Sequence, residues 1–117
     1  ETSSEYVSTI YFAPKMYKID AFTAAKLNLL AEEIRAQNPK TISVTGHSDK
    51  LNSEKEENDI ALKRAIAVAE YFENTGLFDN PLVPITAEGA GAAKPAEKHE
   101  DITLRDKNRR VEIGIEK

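Results

Sequence analysis

The amino-acid sequence predicts an α/β sandwich, a sheet with helices packed on it. Two observations carry this expectation. Segments rich in β-branched and aromatic residues alternate with segments whose apolar residues recur at helical spacing, in the order strand–helix–strand–helix–strand–turn–strand. The length of 117 residues, with 40% hydrophobic and 31% charged residues, suits one domain able to bury its own core. No internal repeat or linker divides the chain, so residues 1–117 are read as a single domain.

Residues 1–5 (ETSSE) are polar and are expected to be frayed or disordered. Val7–Phe12 is β-branched and aromatic and reads as the first strand, closed by Pro14. Asp20 is placed to cap a helix running to about Gln37, where Asn38-Pro39 is a stop signal; Leu27, Leu30, Ala31 and Ile34 form its apolar stripe. Thr41–Thr45 alternates and ends at Gly46, a second strand. The run Lys50–Glu57 reads as a solvated loop, with a second helix starting at Asn58 or Asp59 and reaching about Asn74. Its stripe is Ala61, Ala65, Val68, Ala69 and Phe72, small enough for close approach to a sheet, and Gly76 stands where a C-terminal cap glycine belongs. Leu82–Glu88 reads as a third strand broken by Gly89-Ala90-Gly91, followed by a loop over 94–101 and a helical turn at 102–107. Val111, Ile113 and Ile115 alternate in a closing strand. Strand–helix alternation of this kind predicts right-handed crossovers between parallel neighbours.

Composition narrows the function. Sixteen basic against twenty acidic residues give a net charge of −4, which argues against a general nucleic-acid binder. The basic segment Arg105–Arg110 lacks the interleaved aromatic residues of a single-strand binder. No cysteine is present, which excludes disulfides, thiol catalysis and cysteine-ligated zinc. No apolar run approaches the roughly 20 residues of a spanning helix. The start ETSSEYVSTIYF has no leader features, as expected of a chain that is not exported or of a mature fragment whose targeting segment is gone.

The densest polar cluster is Gly46-His47-Ser48-Asp49, just past a strand's carboxyl end, with Arg64 fifteen residues beyond Asp49 near the start of the following helix. Ligands of open α/β sheets collect in that crevice. A carboxylate and a guanidinium in one cleft suit a zwitterion, the arginine forking a carboxylate and the aspartate accepting from an ammonium. A structural ion pair, or two residues that never meet, fits the same spacing.

Four blocks in order carry a resemblance: Gly46-His47-Ser48-Asp49; Lys63-Arg64-Ala65; Gly89-x-Gly91-x-x-x-Pro95; and Asn108-Arg109-Arg110-Val111-Glu112-Ile113. Nearly the whole chain resembles the outer-membrane-protein-A-like domain, the peptidoglycan-binding module of peptidoglycan-associated lipoproteins and flagellar stator proteins. The resemblance implies a βαβαβ-β fold with a mixed four-stranded sheet and a groove for a peptidoglycan stem peptide. It implies that Asp49 and Arg64 grip the free end of meso-diaminopimelate, with Ser48 and the Gly46–Lys50 backbone shaping the groove. Arg110 is expected to line it, and Asn108 to fix the turn before the last strand. It further implies a periplasmic location, a membrane anchor or barrel upstream, and recognition without catalysis or cofactor.

The sequence departs from the family pattern at four positions. Ser48 replaces a threonine and keeps its hydroxyl. Asn52 replaces a glycine, Glu57 an asparagine, and Lys15 an aspartate or asparagine. Glu57 and Lys15 are therefore read as altered rims. The departures at Asn52 and Glu57 motivate an alternative, a degenerate module of the same fold serving as a dimerisation (homodimer) or protein-docking unit in an envelope complex.

Other motifs fail. His47 and His99 have no metal-binding spacing, and Gly89-Ala90-Gly91 lacks the rest of a dinucleotide fingerprint. Ser48 lacks a nucleophile-elbow context. His47 reads as a packed or hydrogen-bonded strand-end residue, or as a pH-sensitive neighbour of Asp49.

Overall fold

A computed structural model describes residues 4–92 and 108–117. The elements are β1 (Ser4–Tyr11), α1 (Ala21–Ala36), β2 (Thr41–Gly46), α2 (Glu54–Asn74), β3 (Ile85–Gly89) and β4 (Arg110–Glu116). They form the expected α/β arrangement, a mixed four-stranded sheet in the order β1-β4-β2-β3 with two helices against it.

The strand order departs from the expected parallel neighbours. Among the described strands only β2 and β3 are adjacent and parallel. The last strand inserts between the first two, antiparallel to both. β4 has the most regular apolar alternation, with Val111, Ile113 and Ile115 all buried, and a central position pairs both of its edges. β1 also starts earlier than expected: Ser4 and Glu5 pair with Glu116 and Ile115. The expected loop at 94–101 and turn at 102–107 lie outside the described residues.

α1 follows its capping signals, with the Asp20 carboxylate accepting from Thr23 N–H at 2.8 Å. α2 begins four residues before the expected start. Ser53 Oγ accepts from Glu56 N–H at 3.2 Å, and Ser53-x-x-Glu56 is a capping-box sequence. The run of glutamates at 54, 56 and 57 is thus the first turn of a helix, where negative charge opposes the dipole's positive end. At the far end Gly76 takes φ +75° just beyond the Thr75 cap, as its position predicted.

One sheet face, bearing Ile10, Ile42, Val44, Val111, Ile113 and Ile115, packs against Leu27, Leu30, Ala31 and Ile34 of α1 and Ala65, Val68, Ala69 and Phe72 of α2. α2 lies so close to β2 that a Cβ on Gly46 would collide with the Ala61 carbonyl. That close approach brings the first turns of α2 over the carboxyl end of β2. Among the described residues no helix is long and apolar enough to cross a membrane.

Candidate functional site

Beyond Gly46 the chain stays buried through His47, Ser48 and Asp49. Backbone bonds fix this stretch: His47 N–H donates to Arg110 O at 2.7 Å and Ser48 N–H to Gly91 O at 2.8 Å. A cleft of about 290 Å³ opens here, walled by Pro14 and Lys15 from the β1–α1 loop, Ser48–Leu51 after β2, Ile60 and Arg64 on α2, and Arg109 before β4. It lies at the carboxyl end of β2, where the connections of an open α/β sheet leave a crevice.

Arg64 forms the floor and is 1% exposed. Its Nε donates to Met16 O at 2.8 Å, Nη1 to His47 O at 3.0 Å and Nη2 to Ala13 O at 3.2 Å. The guanidinium carbon stands 5.5 Å from the centre of the Phe12 ring. Burial, and then the neighbouring Arg109, push Arg64 down to about 10, against an opposing pull from Asp49. At neutral pH it is a buried cation, its orientation set by carbonyls from two separate loops.

Asp49, 7% exposed, lines the same cleft. The two residues that sequence spacing left as site, ion pair or strangers therefore share one cavity and interact electrostatically. Ser48 Oγ is buried in the cleft wall with no hydrogen-bond partner among the described residues. Lys15 sits at the mouth with φ +58°, a left-handed conformation uncommon for lysine. The floor holds it there, because the two loop carbonyls that Arg64 binds, Ala13 and Met16, bracket it.

These features coincide with a family signature. The OmpA family matches residues 11–109. This chain belongs to the OmpA family. Outer membrane protein A of Bordetella avium is 32% identical over 89 residues, covering 76% of this chain and 44% of that protein. The peptidoglycan-associated lipoprotein of Buchnera aphidicola is 29% identical over 106 residues, 91% of this chain and 60% of the relative. The chain thus spans less than two thirds of either relative's length. In structure it is similar to the peptidoglycan-associated lipoprotein of Burkholderia pseudomallei, with TM-score 0.78, 22% identity, and coverage of 93% of this chain and 89% of that one.

Within this OmpA-family frame two expected site residues lie elsewhere. Arg110 is not among the residues that line the cleft; its neighbour Arg109 is. Arg110 is buried on the other side of β4, its Nε donating to Glu112 Oε2 at 3.1 Å. Strand alternation decides this, because odd positions at 109, 111, 113 and 115 share the helix-facing side. The signal was present in the apolar pattern of the closing strand. Glu57 is likewise no rim of the main cleft. It is 3% exposed, its Oε2 accepts from Leu51 N–H at 3.0 Å, and it lines a smaller depression of about 160 Å³ with Lys50, Glu54, Asn58 and Ala92. A carboxylate one turn into α2 braces the preceding loop, which a solvated-loop reading of residues 50–57 could not reveal.

His47 is buried, its Nε2 3.1 Å from Glu112 Oε1, and Asn108 is fully buried at the entry to β4. Among the described residues no group of three His, Asp or Glu side chains is placed to hold a metal.

Proposed function

We propose that this domain binds peptidoglycan non-covalently, taking the free end of diaminopimelate in a stem peptide, with no catalytic step and no cofactor. The observation that carries the reading is one buried carboxylate and one buried, oriented guanidinium in the same cleft. Diaminopimelate's free end presents an ammonium and a carboxylate. Asp49 accepts from the first. Arg64 meets the second through the N–H that each terminal nitrogen retains after its backbone bond. Ser48 Oγ, buried without a partner among the described residues, is positioned to complete a polar contact. Membership of the OmpA family and likeness to proteins named peptidoglycan-associated support the same assignment. On this reading the domain works in the periplasm and tethers an envelope protein or complex, held to a membrane by an anchor or barrel elsewhere in the full-length chain. The docking alternative drew on Asn52 and Glu57; Glu57 is engaged in bracing Leu51, and neither side chain lines the main cleft.

The test is co-sedimentation with purified sacculi. Asp49→Asn and Arg64→Lys, each checked for native circular dichroism, are expected to stay in the supernatant while the unmodified protein pellets. Pelleting of a folded Asp49→Asn variant at the wild-type level would overturn the assignment.

A further inference from the structure

Among the described residues that line the cleft, Lys15, Arg64 and Arg109 face one carboxylate, Asp49. The two arginines are held by backbone carbonyls, Arg109 through Nε to Phe12 O at 3.1 Å, and carbonyls supply no formal charge. The excess is felt inside the site: at Arg64 the repulsion of Arg109 ranks ahead of the attraction of Asp49. A zwitterionic end group, with one charge of each sign, fills the Asp49–Arg64 pair and leaves the excess untouched.

Lys15 adds a second, independent observation. A lysine at φ +58° is strained where asparagine, aspartate or glycine is tolerated. Among the described residues its Nζ reaches only Glu56 Oε1, at 4.0 Å between exposed side chains, a contact too weak to repay the strain. Strain held at the mouth of a site points to a role in the site.

We infer that Lys15 and Arg109 form a subsite for a second carboxylate of the ligand, beside the zwitterion site of Asp49 and Arg64. This inference rests on the stem-peptide reading above and deepens it. A stem tripeptide offers two such groups: the α-carboxylate of its γ-linked glutamate, and the main-chain carboxylate of diaminopimelate where the stem ends there. Each loses its charge on amidation. The cleft therefore sorts stem peptides by their carboxylates and disfavours the amidated form. Lys15 and Arg109 are the specificity determinants, and Asp49 and Arg64 supply the common grip.

The experiment is calorimetric titration of the protein with three peptides: the free-acid tripeptide L-Ala-γ-D-Glu-meso-diaminopimelate, the same peptide amidated at the glutamate α-carboxyl, and the same amidated at the main-chain carboxyl of diaminopimelate. One amide is expected to bind about tenfold or more weakly than the free acid, and which one it is identifies the carboxylate. Lys15→Asn should lower free-acid affinity more than the affinity of this amide and so narrow the gap between the two; Arg109→Gln should do the same. The preference should shrink as salt rises. Two amides that bind within twofold of the free acid would overturn the subsite, as would a preference that persists in Lys15→Asn and Arg109→Gln. Failure of the free acid itself to bind would overturn the stem-peptide reading along with it.

Discussion

Arg64 and Lys15 face the same cleft and are built on opposite principles. Arg64 is 1% exposed and bonded to three backbone carbonyls, whereas the Lys15 side chain is 66% exposed and touches one glutamate at 4.0 Å. The floor of the cleft is therefore also a fastener of the fold. Removing it leaves one buried acceptor, His47 O, and two part-buried ones, Ala13 O and Met16 O, without their donor. The lip can change with little effect on the rest of the molecule, because water already solvates most of it. On the proposed function, binding and stability are entangled at Arg64 and separable at Lys15.

The comparison is broken most directly by Arg64→Ala. Stranding one buried and two part-buried carbonyls is expected to cost about 2 kcal/mol, read as a lower urea midpoint at unchanged slope. A variant as stable as the wild type would mean that the floor is not structural. Glu57→Ala comes next, with an expected loss of roughly 1–2 kcal/mol from the unpaired Leu51 N–H. Its effect on ligand binding should be smaller than that of Asp49→Asn, since Glu57 shapes the loop from outside the main cleft. Lys15→Asn should move stability the other way, raising it by roughly 0.5 kcal/mol through relief of the left-handed strain. A gain in stability together with a loss of affinity would mark a residue kept for binding.

The smallest effect sharpens the contrast from the far side of β4. Burial pushes the Glu112 carboxyl up, but the Arg110 hydrogen bond and charge, joined by His47, outweigh burial and hold it below the usual carboxylate range. The unfolded chain then takes up this proton first as pH falls. Its stabilisation is complete above an unfolded value of about 4.3 and is lost as pH drops through the lower folded value. Urea titrations from neutral pH down to about pH 3 should show a shallower acid loss in Glu112→Gln than in the wild type.

Much of this was legible residue by residue. The α1 cap and stripe, the Gly76 terminus and the spacing of Asp49 from Arg64 are local or short-range features, and local rules sufficed for them. Ser53-x-x-Glu56 was equally local, but the surrounding charges disguised a helix start as a solvated loop. The resemblance identified the family, although the Arg109/Arg110 assignment along the groove came out one position off, and only the pleat of β4 corrected it.

By itself, the sequence determined the element order, the helix-facing stripes and which charged pair to examine, which depend on periodicity, caps and spacing, properties of neighbouring residues. Its four motif blocks carried the resemblance to the family. The tertiary structure decided that β4 lies between β1 and β2, that Arg109 rather than Arg110 reaches the cleft, and that Glu57 is buried. It also decided that Arg64 is fastened to carbonyls 48 and 51 residues away in sequence. Those outcomes turn on strand register and on which loops close over a buried charge. A guanidinium taken out of water must find acceptors wherever the fold brings them.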